Sequence, residues 1–225
     1  MKAIKSIVVI PAYNEAKILG KVVAEVKKYA DMVVVIDDAS IDNTAQIAKR
    51  ASAKVISHSI NLGQGAALQT GFDYAKTLKP KVVITYDADG QFLAKELPKV
   101  MAPILKGEVD IVFGSRFLNN KSKVPLPRKL LLKSAIVFTK FFSDLSLTDT
   151  HNGFRALSPL ALEKINIKLD RMAHASEIIN QTSYFNLRYK EVPVTVLYTK
   201  YSISKGQKSI NLFSIIGDLL SSRFS

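Results

Sequence analysis

Apolar positions in the first half of the chain fall into short continuous runs, and the stretches between them carry helical spacing. The strand-like runs are Ile4–Ile10, Met32–Asp37, Lys54–Ser57, Val82–Tyr86 and Val109–Phe113. Between them Glu15–Tyr29, Asn43–Arg50, Gln64–Leu78 and Ala94–Leu105 read as helices. Unbroken Val/Ile runs fit strands covered on both faces, so the alternation predicts an α/β fold with a mostly parallel, Rossmann-like sheet between two helical layers. Sheets of this kind bind ligands beyond the carboxyl ends of their strands.

The residues just past each strand are therefore the place to look for chemistry. They read Pro11-Ala12-Tyr13-Asn14-Glu15, then Asp37-Asp38-Ala39-Ser40, Asn61-Leu62-Gly63-Gln64-Gly65, Asp87-Ala88-Asp89-Gly90-Gln91 and Gly114-Ser115-Arg116-Phe117. All five loops are rich in acids, amides or glycine. The fourth is the most telling, because two carboxylates one residue apart at a strand end converge on one point. Mg²⁺ and Mn²⁺ prefer oxygen ligands, and carboxylates together with a phosphate-bearing substrate hold such ions. A lone Asp-x-Asp equally serves as a turn capping the next helix. The company of four other polar strand ends favours a site.

The second half is less regular. Asn119–Pro127 is a basic, proline-containing loop, and Arg128–Leu147 reads as a helix. Its Lys129, Lys133, Lys140 and Asp144 form one narrow stripe on an otherwise apolar surface. Such an amphipathic helix packs on the core, on a twin subunit, or in a membrane interface. A polar cluster at Asp149–Ala156 follows, then a short helix, a helix near His174–Tyr184, a strand through Val192–Leu197, a basic arm at 198–209 and an apolar stretch Ile210–Leu220.

Length and charge refine this picture. The 225 residues suit one domain. The net charge of +13 is lopsided: residues 1–110 carry 15 Lys and Arg against 12 acids, residues 111–225 carry 17 against 7. A basic half meets nucleic acid, an anionic membrane surface or a phosphorylated substrate. Nucleic acid is disfavoured, since no helix-turn-helix, zinc-ligand or RNA-binding pattern is present. The absence of cysteine excludes disulfides and thiolate metal sites. No signal-peptide pattern and no membrane-length apolar run are apparent, so the expected location is the cytoplasm, peripherally on the membrane face.

In order along the chain, the five loops together with Asp149–Arg155 and Tyr201–Gln207 resemble the inverting family 2 glycosyltransferases of the GT-A fold. The subgroup they resemble includes dolichyl-phosphate mannose synthase and bacterial polyprenyl-phosphate sugar transferases. The resemblance implies transfer of a sugar from a nucleotide-diphosphate donor to a polyprenyl phosphate. Extension of a lipid-linked or surface glycan, and a non-catalytic nucleotide-binding protein, are the rival readings. The absence of tryptophan removes the Gln-x-x-Arg-Trp motif of processive synthases.

The resemblance also implies residue roles. Residues 1–117 become the donor half and 118–225 the acceptor half. Pro11, Tyr13, Glu15 and Asp37 hold the nucleoside and Asp38 contacts local backbone amides, although Glu15 also suits a helix start, where a carboxylate caps. Asp87, Asp89 and Gln91 hold Mg²⁺ or Mn²⁺ on the diphosphate, or Asp87 touches sugar or ribose. The Asn61–Gly65 loop approaches ligand through its backbone amides, or is a helix-start turn packed on the sheet. Arg116 contacts phosphate or acceptor, or is an ordinary surface arginine. Lys205 reaches the diphosphate from a segment that closes over it, the alternative being a solvated charge run. Asp149 or Glu177 serves as general base for an alcohol acceptor; an ionised phosphate acceptor needs none, and Arg155 then orients it. His151 and His174 are read as structural.

Overall fold

The structure, a computed structural model, describes residues 4–119, 121–122, 124–125, 129, 132–133, 136, 145–169 and 173–198. Among them seven strands form one sheet: β1 (Ser6–Ala12), β2 (Met32–Asp37), β3 (Lys54–Ser57), β4 (Val82–Thr85), β5 (Ile111–Ser115), β6 (Arg155–Leu157) and β7 (Tyr189–Pro193). Their spatial order is β3-β2-β1-β4-β6-β5-β7. All pairings are parallel except those of β6, which runs antiparallel to both β4 and β5.

Every residue of β1 is buried, as an unbroken apolar run at the sheet centre requires. Its side chains alternate between two layers. Val8 and Ile10 join α1 (Leu19–Val26), α2 (Thr44–Arg50) and α4 (Leu97–Leu105). Ile7 and Val9 join α3 (Gln64–Leu78), α5 (Pro159–Lys164) and α6 (Ala173–Tyr184). Burying each such side chain contributes roughly 1.5–3 kcal/mol. Helix α3 lies so close to β1 that a Cβ on Gly71 would stand 2.2 Å from Val9 Cγ1.

Several elements depart from expectation in instructive ways. Helix α1 starts at Leu19 rather than Glu15, because residues 14–16 are held in a loop by bonds to Ser40, Thr44 and Asp42. The expected helix Ala94–Leu105 is a 3-10 turn, Ala94–Glu96, followed by α4 with proline in its first turn. Strand β6 lies inside what reads as a polar cluster. The last strand is Tyr189–Pro193, with Val196 making an isolated bridge to Phe92. Most of the expected helix Arg128–Leu147, and the basic arm from 199 onward including Lys205, lie outside the described residues.

Candidate functional site

The carboxyl ends of β2, β1 and β4 stand side by side, with Ala12 in register with Asp37 and Val9 with Thr85. This brings the first, second and fourth polar loops to one edge of the sheet. Pro11 is a buried strand residue, whereas Tyr13 is exposed. Asn14 ties the first loop to the second: its N–H donates to Ser40 Oγ (2.9 Å) and its Oδ1 accepts from Ile41 N (2.9 Å). Glu15 is buried; its N–H donates to Thr44 Oγ1 at 2.8 Å, and its carbonyl accepts from Ile18 and Leu19 at the entry to α1.

Two neighbouring aspartates take opposite roles. Asp37 is buried with Oδ1 lacking any partner, an acceptor left open at the strand end. Asp38 is fully engaged. It accepts from Leu62 N (2.9 Å), Gly63 N (2.8 Å) and His58 Nδ1 (2.7 Å).

The Asp87–Gln91 hairpin is anchored by Tyr86, whose hydroxyl donates to the Phe92 carbonyl at 2.7 Å while its ring packs edge-on against Phe92 and Phe154. Asp89 Oδ1 accepts from Gln91 N at 3.0 Å, closing the turn through Gly90 at φ +70°. The Gln91 side chain is buried, with Nε2 unpartnered. Asp87 is half-exposed by surface, yet its carboxylate is closely surrounded. Gln64 Nε2 donates to its Oδ1 at 3.2 Å, and a Cβ on Gly153 would stand 2.5 Å from both oxygens. Burial, and then the charge of Asp89, push the Asp87 carboxyl up to about 7, against the pull of Arg155, Arg116 and Gln64.

That pairing bears on metal binding. Two carboxylates close enough to oppose each other's ionisation, at a loop tip, form an oxygen donor set that a divalent cation would relieve. Among the described residues no group of three or more His, Asp or Glu side chains could hold a metal by themselves. The donor set fits an ion that brings further oxygen ligands with its substrate.

Behind the hairpin lies a second charged cluster. Arg116 donates from Nε to Asp149 Oδ2 (2.6 Å), from Nη2 to the His151 carbonyl (2.7 Å) and from Nη1 to the Tyr198 hydroxyl (3.1 Å). It is a buried brace in this arrangement, neither a surface arginine nor open to a phosphate. Asp149 also accepts from Arg116 N and Asn152 Nδ2 on Oδ2, while its Oδ1 is buried without a partner. Arg155 is 1% exposed, so it lies under the site, with Nε and Nη1 unpartnered. Burial lowers its pKa to about 10, opposed by Asp87 and Asp149. Burial, followed by the charge of Arg155, takes His151 down to about 4, leaving it neutral at pH 7. Glu177 is engaged elsewhere, accepting from the backbone N–H of Lys168 and Leu169 and from Gln181 Nε2. His174 is buried.

Sequence reading overlooked the bridge from Gln64 to Asp87 and the use of His58. Gln64 stood within a loop already singled out, and its place at the start of α3 was the available signal.

The sequence profile described as Glycosyl transferase family 2 matches residues 7–165. The chain is 32% identical to UDP-N-acetylglucosamine–dolichyl-phosphate N-acetylglucosaminyltransferase of Methanococcus voltae, over 94% of this chain and 93% of the relative. It is 28% identical to polyprenol monophosphomannose synthase of Mycolicibacterium smegmatis, over 89% and 80% respectively. In structure it is similar to glucosyl-3-phosphoglycerate synthase from Mycobacterium tuberculosis in complex with Mn²⁺, UDP-glucose and phosphoglyceric acid. The TM-score is 0.75 at 19% identity, covering 97% of this chain and 79% of that one.

Proposed function

Because the chain belongs to glycosyl transferase family 2 and is a glycosyltransferase of the GT-A fold, we propose that it moves one sugar from a nucleotide-diphosphate donor to a polyprenyl phosphate, dolichyl or undecaprenyl, with inversion at the anomeric carbon. The observation that carries this reading is the paired Asp87 and Asp89 at the tip of β4, on the same sheet edge as the open oxygen of Asp37 at the end of β2. The names of the Methanococcus and Mycolicibacterium relatives, which act on dolichyl and polyprenyl carriers, support the acceptor class.

Each residue then has a task. Asp37 Oδ1 accepts a hydrogen bond from the base or ribose, and Pro11, Tyr13 and Glu15 shape the wall beside it. Asp89 and Asp87, with the Gln91 side-chain oxygen, would hold Mg²⁺ or Mn²⁺. A cation held there would supply positive charge to offset that on a departing nucleoside diphosphate. Lys205 adds a positive charge to the same phosphates from the arm. A phosphate acceptor brings an ionised oxygen of its own, so attack in line with the leaving group needs no general base. Asp149, Arg116 and Arg155 act from beneath by orienting the Asp87 hairpin, and Glu177 by ordering residues 168–169.

The acceptor is lipid-borne, so the enzyme works peripherally at the cytoplasmic membrane face, with the basic second half toward anionic headgroups. No helix among the described residues is long and apolar enough to cross a membrane. Labelled UDP- and GDP-sugars incubated with short polyprenyl phosphates and Mn²⁺ test the proposal. A single-sugar polyprenyl phosphate of inverted configuration is expected. Transfer only to free or diphosphate-linked glycans would overturn the acceptor assignment.

A further inference from the structure

A closed ring of hydrogen bonds stands behind the donor site, and the roles assigned above leave it unused. Asp38, at the end of β2, takes the N–H groups of Leu62 and Gly63, the two residues leading into α3. His58 Nδ1 donates to Asp38 Oδ1 at 2.7 Å, and its Nε2 meets Thr70 Oγ1, two turns into α3, at 2.9 Å. The His58 and Asp38 side chains are only 8% and 5% exposed. The start of α3 is therefore tied down at both sides, through the loop before it and through the helix itself. Such restraint is needed: Gly63 sits at φ +92°, where it favours no single loop shape without outside bonds.

The first residue delivered by this ring is Gln64, whose Nε2 donates to Asp87 Oδ1. A glutamine side chain has several rotatable bonds and loses much freedom on ordering, so a 3.2 Å bond at its tip depends on a fixed backbone at its root. Gly65 adds a further restraint, since its Cα packs where a Cβ would stand 2.1 Å from the Leu169 carbonyl oxygen.

We propose that Gln64 is a positioning residue that orients the Asp87 carboxylate for the metal–nucleotide site, and that His58 acts through it by locking the loop that opens α3. The inference rests on the reading of Asp87 as part of that site.

Calorimetric titration of the full chain with UDP, and separately GDP, in the presence of Mn²⁺ tests it through binding rather than turnover. His58→Ala and Gln64→Ala are each expected to weaken Mn²⁺–nucleotide binding about tenfold, and the double variant also about tenfold, because both act on one contact. His58→Gln, which keeps a side-chain donor for Asp38, is expected to bind within about twofold of wild type. A double variant weakened about a hundredfold would mean independent effects and overturn the relay. So would a Gln64→Ala protein that binds as wild type does. Should His58→Ala fail to fold, Thr70→Val removes the ring's outer support at equal volume and takes its place in the cycle. Wild-type protein that binds neither nucleotide with Mn²⁺ would sink both the functional reading and this inference, a result distinguishable because the failure precedes any substitution.

Discussion

Asp87 and Asp89 are one residue apart and answer to different surroundings. Asp89 is oriented by its bond from Gln91 N, whereas Asp87 is enclosed by Gln64, Gly153 and the Arg155 field. If Asp89 carries the metal, Asp89→Ala is expected to lower kcat about a thousandfold or more while leaving the fold intact, measured by turnover and thermal unfolding together. Asp87 predicts a pH dependence. Its carboxyl titrates near 7 in the folded protein against 3.8 in the unfolded chain, so its ionisation lowers ligand-free stability progressively as pH rises between about 4 and 7. A bound cation needs the ionised form. Mn²⁺–nucleotide affinity is therefore expected to rise with pH up to about 7 and then level off, with proton release on binding at pH 6 as the calorimetric check. Residue types at the strand ends were legible in sequence because carboxylates in loops are chemically conspicuous. The local role expected of Asp38 matches its bonds from Leu62 and Gly63 N–H, whereas its further bond from His58 was not legible, since that pairing depends on how β3 is laid beside β2.

At the scale of elements, the hydrophobic pattern located the first five strands and four helical stretches to within a few residues. It worked there because β1, β2, β4 and β5 are buried on both faces, the edge strand β3 turns Val55 and Ile56 toward opposite layers, and each helix buries one stripe. It missed β6, where three residues form an antiparallel insertion between β4 and β5 too short to show alternation. That strand matters, since it carries Arg155 beneath Asp87 and sets Gly153 against the carboxylate. The contact of α3 with β1 gives a second test of the packing. Gly71→Ala would place a methyl 2.2 Å from Val9 Cγ1, and the strand cannot retreat because it is paired on both sides. A loss of about 1–3 kcal/mol in denaturant unfolding is expected, outweighing the better helix propensity of alanine. Partial recovery in the Gly71→Ala/Val9→Ala double variant would identify the clash as the cause.

For the whole molecule, charge is the property that sequence states outright. Most of the +13 sits beyond residue 110, which predicts co-sedimentation with vesicles rich in anionic lipid, strong at low salt and largely lost near 0.5 M as screening shortens the reach of each charge. Equal binding to neutral vesicles would point instead to apolar insertion. Composition, the strand–helix alternation and the ordered acidic loops were determined by sequence alone, and with them the family and the GT-A fold, because local periodicity and loop chemistry need no knowledge of distant contacts. Only the tertiary structure decided which polar groups meet. Arg116 is committed to Asp149, His151 and Tyr198, up to 82 positions along the chain, and Gln64 reaches Asp87 across 23. Such pairings arise when strands distant in sequence are laid side by side, and burial then fixes which charges must find one another; neither is written in any local stretch of residues.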